Sequence, residues 1–233
     1  VSLSTTFRKN NKIRCIIRYY EHKSGDILPP LLVKRVASQR IFDFDDDFFT
    51  LPDEIYLIGS WISYKYFDHI RALLIEELTI NRKLCGKNIL TANHINSTQS
   101  VSIHVRRTDK TNNPEYYTTD IEYIKRAMSY FYSILKDPIF FVFSDDIMWC
   151  KENIKEECVF FIDWNDDMHA FEDLRLMSLC KHNIIAESSF SWWGAYLNQN
   201  TKKIVLSPEA TRWVNRDNCL CSDILPPEWI VIK

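Results

Sequence analysis

The stretch IFFVF, residues 139–143, is an unbroken apolar run in the middle of the chain. Runs of this kind are typical of strands in parallel sheets, which are covered on both faces and therefore need no polar side. Ser144, Asp145 and Asp146 follow at once, and short polar side chains of this type commonly cap the first turn of a helix. The stretch therefore predicts a buried strand that leads directly into a helix.

The same alternation of strand and helix continues on both sides of this stretch. Short apolar and β-branched runs predict strands at 101–105, 139–143, 158–162, 183–186 and 203–207. Capping residues and helical spacing of apolar residues predict helices after a Thr119-x-x-Glu122 capping box, after 144–146, at 171–181 and at 190–197. Strands that alternate with helices in this way predict an α/β fold with a doubly wound, Rossmann-like parallel sheet.

The first part of the chain is less regular than the rest. Its pattern predicts strands at 12–20 and 54–59 and a helix at 68–78, separated by proline-marked loops. We expect two domains: residues 1–97, a partial α/β unit with a linker, and residues 98–233, a complete Rossmann-like domain.

Charge and cysteine content exclude several classes of protein. The 233 residues carry 29 Lys and Arg against 31 Asp and Glu, a net charge of −2, whereas a general nucleic-acid binder is usually basic. The 7 cysteines include no CxxC pair, which favours reduced thiols inside the cell. No apolar run is long enough for a membrane span. We expect a cytoplasmic protein that does not bind nucleic acid, and leave open a peripheral association with the inner face of the membrane.

Polar residues follow three of the predicted strands, at the edge where parallel sheets bind their ligands. The first group, after 101–105, contains His104, Arg106, Arg107 and Asp109; the others are Ser144–Asp146 and Glu187–Ser189. The last group begins a helix, whose unpaired N–H groups and dipole favour an anion. These residues are therefore candidates for a ligand site.

The chain has only 4 glycines, and they form neither GxGxxG nor a P-loop. If a nucleotide binds, its phosphates must be held by cationic side chains and a helix N-terminus. Arginine suits this task because a guanidinium stays charged and donates two parallel hydrogen bonds to phosphate. The alternative is that Arg106 and Arg107 form structural ion pairs with Asp109 or Asp120.

Two acidic segments resemble metal sites. FDFDDDFF, residues 42–49, contains Asp-x-Asp, and residues 163–169 contain three aspartates and His169. Both are also consistent with solvated turns, and we expect no metal at either segment.

Several motifs together resemble glycosyltransferase family 11, the mostly bacterial alpha-1,2-fucosyltransferases. They are HVRRTDK (104–110), FVFSDDIMWC (141–150), DLRLMSLCKHNIIAESSFSWWGAYLN (173–198) and GSWISYKYFDHIRALL (59–74). The resemblance implies a GT-B scaffold of two Rossmann-like units. It also implies inverting, metal-independent transfer of L-fucose from GDP-fucose to the 2-hydroxyl of a galactose-terminated glycan, as in glycan or O-antigen biosynthesis, without a cofactor.

The resemblance also implies roles for individual residues. Arg106 corresponds to the arginine that grips the β-phosphate and acts in catalysis, with Arg107 in support, while His104 and Asp173 correspond to guanine contacts. The phosphate pocket is expected to be lined by Ser188, Ser189 and Phe190. Asp109 and Glu115 are candidates for the base that deprotonates the acceptor, because they lie near the arginine motif. Trp192 and Trp193 are expected to pack their helix and not to form a sugar platform.

The sequence departs from the family pattern at three places. A Gly-Gly-Leu-Gly-Asn-Gln loop is not found, so we expect a shortened member or a fragment. Glu187 replaces a common Asn and adds negative charge beside the expected anion, and Thr108-Asp109-Lys110 resembles the alpha-1,6-fucosyltransferase version of the motif. Two alternatives stay open: a remnant that binds GDP-sugar or glycan without catalysis, and a metal-dependent sugar transferase that uses the aspartates of 43–47.

Overall fold

The computed structural model describes residues 36–38, 43–52, 55–108, 111, 117–213 and 222–233. These residues divide into two compact units. The first holds residues 36–38, 45–52 and 55–61, and the second holds residues 43–44 together with the described residues from 62 to 233.

The first unit contains two short parallel strands, β1 (Val36–Ser38) and β2 (Tyr56–Ile58). Between them, Asp45 caps a short 3-10 helix, Asp46–Thr50, by accepting a hydrogen bond from the backbone N–H of Asp47. The strand predicted at 54–59 is confirmed by β2, although it is shorter. The strand predicted at 12–20 lies outside the described residues.

Among the described residues of the second unit, six parallel strands form one sheet in the order β5-β4-β3-β6-β7-β8. The strands are β3 (Gln99–Val105), β4 (Pro138–Ser144), β5 (Val159–Ile162), β6 (His182–Ile184), β7 (Val205–Ser207) and β8 (Ile230–Val231). The five predicted strands are therefore confirmed. The sixth, β8, was not predicted, because two residues are too few to show a strand period.

The described part of the chain contains α1 (Arg71–Leu78), α2 (Lys87–Ser97), α3 (Ile121–Ile134), α4 (Ile147–Asn153), α5 (Ala170–Leu179) and α6 (Ser189–Tyr196). Helices α3 to α6 confirm the four predicted crossovers, and α1 confirms the helix predicted at 68–78 after a short 3-10 turn. The predicted capping box is wrong by one position, since Asp120, not Thr119, caps α3 by accepting from the N–H of Tyr123. Asp146 caps α4 as expected.

Strand β4 shows why the sheet needs helices on both faces. Phe140 and Val142 are fully buried in a core formed with α3, whereas Phe141 and Phe143 are buried in a second core formed with α2 and α5. Because side chains alternate across a strand, an all-apolar run can be satisfied only when both faces are covered. The prediction made from IFFVF is confirmed.

Helix α6 is held by aromatic packing along its length. The Trp192 ring stacks on Tyr196 with centroids 4.8 Å apart, and its indole N–H donates to the carbonyl of Ile224 at 2.8 Å. Trp193 stacks on Phe67 at 5.3 Å. Both tryptophans therefore anchor α6, as predicted.

Helices α5 and α6 are in close contact at Gly194. A β-carbon on this glycine would lie 3.1 Å from the β-carbon of Met177 on α5. The glycine therefore sets the spacing of these two helices.

The residues from 62 onward pack together, so α2 belongs with the large sheet. The domain boundary predicted at residue 97 and the GT-B arrangement stay predictions. In the described part of the chain, every helix is too short or too polar to cross a bilayer.

Substitution of Gly194 tests this packing. Gly194→Val is expected to destabilise the protein by about 1–3 kcal/mol, because the added carbons overpack the contact with Met177. Gly194→Ala is expected to cost much less, since the helix propensity gained from alanine, about 1 kcal/mol, offsets part of the crowding. Urea unfolding followed by circular dichroism measures both; equal stability of the two variants would contradict the close approach.

Candidate active site

The sheet has a topological switch point between β3 and β6. From β3 the chain passes through α3 to β4 on one side, and from β6 it passes through α6 to β7 on the other. Such a reversal opens a crevice at the carboxyl ends of the two strands. A cavity of about 450 Å³ lies here, and six of the predicted site residues line it: His104, Arg106, Asp173, Ser188, Ser189 and Phe190.

His104 and Asp173 both line this cavity. His104 is buried at the end of β3, and its ring lies 5.6 Å from that of Phe190. Asp173 lies in the first turn of α5. Burial raises the pKa of the Asp173 carboxyl to about 6, and the neighbouring Glu172 adds to the increase. The carboxylate is thus an acceptor whose charge is incompletely compensated.

A chain of amides orients this carboxylate. Asn165 donates from Nδ2 to Asp173 Oδ1 at 2.6 Å, while its Oδ1 accepts from Asn88 Nδ2 at 2.9 Å. The indole N–H of Trp164 donates to Asn88 Oδ1 at 2.7 Å. Asn165 also lines the cavity. It therefore fixes the position of Asp173 at the cavity wall.

Asp145 holds the loop that carries the arginine motif. Its carboxylate accepts from the backbone N–H groups of Arg107 and Thr108 at 2.9 and 3.1 Å, and from the Thr108 hydroxyl at 2.6 Å. Arg106 Nε lies 3.4 Å from Asp145 Oδ2. Arg106 is thus placed at the cavity wall by a carboxylate from the turn after β4.

Arg107 extends in a different direction and is not among the residues that line the cavity. Its Nε lies 3.5 Å from Asp146 Oδ2, its Nη1 donates to the carbonyl of Thr119 at 3.1 Å, and its guanidinium lies 3.9 Å from the centroid of the Trp149 ring. This arrangement fits a supporting role. Direct contact between Arg107 and a GDP-sugar donor stays a prediction.

The ion-pair alternative is therefore correct in kind and wrong in naming Asp120, while a pair with Asp109 stays a prediction. The two arginines pair with Asp145 and Asp146, whereas Asp120 pairs with Arg212 at 3.0 Å. Asp109 lies outside the described residues. An ion pair at Arg106 does not exclude a ligand role, because the same side chain borders the cavity.

The N-terminus of α6 forms another wall of the cavity. Ser188 caps the helix and accepts from the backbone N–H of Phe190 at 3.3 Å. Glu187, just before the cap, is buried, and its carboxylate lies 2.8 Å from Arg212 Nε. The negative charge that departs from the family pattern is therefore paired with a cation that the sequence interpretation did not include.

Among the described residues, the cavity wall carries more carboxylates than cations, and carboxylates repel an anionic ligand. The carboxylates are Asp145, Asp166, Asp167, Asp173 and Glu187. Asp145 and Glu187 pair with arginines, and the hydrogen bond from His169 holds the pKa of Asp166 below its usual value. Local pairing therefore reduces the repulsion that an incoming anion would meet.

The acidic segments have structural contacts of their own. Asp43 accepts from the N–H and hydroxyl of Ser222, Asp45 caps a helix, and Asp163 pairs with Lys151 at 2.5 Å. Within the described ranges, no group of three Asp, Glu, His or Cys side chains is arranged to hold a metal. Independence from metal nevertheless stays a prediction. Asp109 and Glu115, the candidate bases, both lie outside the described residues.

Sequence reasoning missed three residues of this region: Asn165, Arg212 and Trp213. Asn165 follows β5, and Arg212 and Trp213 follow β7. The rule that ligands bind beyond the carboxyl ends of parallel strands applies to these strands as well. Extending it beyond the three groups considered would have identified these segments as candidates.

Comparisons with known proteins agree on one family. The model of the family described as Glycosyl transferase family 11 matches residues 26–233. An Alpha-1,2-colitosyltransferase of Escherichia coli is 31% identical over 100% of this chain and 81% of its own length. The O-antigen biosynthesis glycosyltransferase WbnK of Escherichia coli is 32% identical, over 62% of this chain and 46% of its own length. The Galactoside alpha-(1,2)-fucosyltransferase 2 of Bos taurus is 30% identical over 63% and 46%, so the matched region spans less than half of these last two proteins.

The partly buried carboxylate of Asp173 gives a pH-dependent prediction. Its folded-state pKa of about 6 lies above its ordinary value of 3.8, so the folded protein binds the proton more tightly and loses stability as pH rises from about 4 to about 6. Asp173→Asn is therefore expected to be more stable than the parent by about 2 kcal/mol at pH 7.5, and by little at pH 4. Urea unfolding at the two pH values measures the difference.

Asp163→Asn is the matched control. The hydrogen bond from Lys151 lowers the pKa of Asp163, so its contribution to stability is present at pH 7.5 and is lost as pH falls. This substitution is expected to change stability in the opposite direction to Asp173→Asn at pH 7.5. A loss of stability in both variants would contradict the desolvation of Asp173.

Proposed function

Because the chain belongs to glycosyl transferase family 11, we propose that it transfers L-fucose from GDP-fucose to the 2-hydroxyl of a terminal galactoside. The transfer is inverting and needs no metal. The observation that carries the proposal is the cavity at the switch point, which is lined by the partly buried Asp173 carboxylate, the Arg106 guanidinium and the N-terminus of α6. Its volume of about 450 Å³ lies within the usual range of ligand pockets.

Asp173 accounts for recognition of the guanine base. The Watson–Crick edge of guanine presents two neighbouring N–H donors, at N1 and N2, which an ionised carboxylate accepts together. Asn165 already occupies Asp173 Oδ1 at 2.6 Å and holds the group in place. With a pKa of about 6, Asp173 is mostly ionised at pH 7 and above. Adenine lacks this pair of donors, so the site favours guanine.

Arg106 and the N-terminus of α6 account for binding of the diphosphate. As the bond between the sugar C1 and the phosphate oxygen breaks, its electron pair stays on that oxygen and negative charge increases on GDP. A fixed guanidinium and the positive end of a helix dipole stabilise this charge more in the transition state than in the ground state. Both groups border the same cavity, so neither has to be brought in from a distance.

The acceptor hydroxyl attacks C1 from the face opposite the diphosphate, which inverts the configuration, and its proton passes to a base. Asp109 and Glu115 remain our candidates for this base, from their positions in the sequence next to the arginine motif.

One observation favours a second donor. One relative that aligns over the whole chain is an Alpha-1,2-colitosyltransferase, at 31% identity. Colitose is L-fucose without the 3-hydroxyl, so the two donors differ only at one position of the sugar. The ratio of kcat/KM for GDP-fucose and GDP-colitose distinguishes the two candidates.

Transfer of radiolabelled fucose from GDP-fucose to lactose tests the proposed reaction. We expect transfer that is unchanged in excess EDTA, because arginine and the helix N-terminus supply the positive charge that a metal supplies elsewhere. Loss of transfer in EDTA would support the metal-dependent alternative. GDP binding without transfer from either donor would support the non-catalytic remnant.

Arg106→Ala is expected to lower kcat by about 10²–10³, the usual cost of losing one donor that stabilises developing charge. The fold is expected to persist, because Arg106 is half-buried at the edge of the sheet. Steady-state kinetics and circular dichroism measure the two effects. The exposed Arg126→Ala on α3 removes the same charge away from the cavity and is expected to keep near-parental turnover. Turnover of Arg106→Ala within threefold of the parent would refute the assignment.

A further inference from the structure

Glu187 creates an electrostatic problem for the proposed donor site. Its side chain is 1% exposed and lines the cavity directly beside Ser188 and Ser189 at the start of α6. A buried carboxylate without a cation is strongly unfavourable, and a diphosphate brought next to it would add like-charge repulsion. Some other group must compensate Glu187 before an anion can bind.

Arg212 is the group that the structure places there. Its Nε lies 2.8 Å from Glu187 Oε1, and its Nη2 lies 3.0 Å from Asp120 Oδ2 and donates to the carbonyl of Thr118 at 3.2 Å. One guanidinium therefore joins two carboxylates and a carbonyl. The planar, multi-donor geometry of arginine permits this, and lysine would not reproduce it.

The contacts of Arg212 connect three separate segments at the carboxyl edge of the sheet. Arg212 ends the short helix Ala210–Arg212 after β7, Glu187 follows β6, and Asp120 caps α3, which follows the arginine motif of β3. Arg212 itself is not among the residues that line the cavity. Its influence on a ligand therefore passes through Glu187.

We propose that Arg212 is a positioning residue for the donor diphosphate: by pairing with Glu187 it neutralises the carboxylate beside the α6 N-terminus and keeps that end of the cavity able to accept an anion. This inference rests on the proposed function, since it concerns the diphosphate of the same donor. It explains how the chain tolerates an acidic residue at a position where negative charge opposes its ligand.

Calorimetric titration with GDP and with guanosine tests the role of Arg212. Arg212→Ala is expected to weaken GDP binding at least tenfold while guanosine binding stays within about twofold. Only GDP carries phosphates, and these would meet the negative charge of Glu187 that Arg212 no longer compensates. In the double variant Arg212→Ala, Glu187→Gln the carboxylate charge is gone, and GDP affinity is expected to return to within about threefold of the parent.

Arg175→Ala is the matched control. Arg175 also pairs with a buried glutamate, Glu172, at 3.6 Å, but neither residue lines the cavity. This variant is expected to lose stability without a selective loss of GDP over guanosine. It therefore separates the general cost of breaking a buried ion pair from an effect on the diphosphate.

Three results of these titrations would overturn the inference. Unchanged GDP binding by Arg212→Ala, an equal loss of GDP and guanosine binding, or a double variant as weak as the single one would each show that Arg212 acts only on the fold. If the parent fails to bind GDP, both this inference and the proposed donor fail. If the parent binds GDP but transfers no sugar, the proposed reaction fails and the titrations still decide the role of Arg212.

Discussion

The contacts of the Asp145 carboxylate are the interaction on which the arrangement of the site depends. Three hydrogen bonds, from Arg107 N–H, Thr108 N–H and the Thr108 hydroxyl, join the turn after β4 to the loop after β3. Arg106 pairs with the same carboxylate. Bonds to Thr119 also attach the arginine motif, but of these contacts the Asp145 carboxylate is the one that pairs with the Arg106 guanidinium and restricts its position. A charged group stabilises a transition state best when it is already in place.

The sheet explains why so many polar groups meet at one edge. Strand β4 is buried on both faces by apolar side chains, and the polar side chains of the candidate site follow the ends of strands. The carboxyl ends of β3 and β6 are adjacent, and the chain leaves them in opposite directions. The resulting crevice collects carboxylates as well as cations. Its suitability for an anion therefore depends on pairing, chiefly of Asp145 with Arg106 and of Glu187 with Arg212.

Much of the fold was predictable because its signals are local. The run 139–143 indicates burial on both faces, and Asp146 caps the helix that follows it. Signals fail where they are short or ambiguous. Strand β8 has two residues, and in the Thr119-Asp120 pair the choice of cap depends on which side chain reaches the N–H of Tyr123. The family motifs likewise led to six cavity residues, because each motif is continuous in the sequence.

The α/β class, the order of strands and helices, the family and the candidates at the strand ends all follow from the amino-acid sequence alone. Which charges neutralise one another depends on how the strands and helices pack. Arg107 turns from the cavity to Asp146 and Trp149, and Arg212 reaches Glu187 and Asp120 across the edge of the sheet. The physical reason is that hydrophobic periods and caps act between near neighbours along the chain, whereas ion pairs form between whichever long side chains the packed strands bring within a few ångströms.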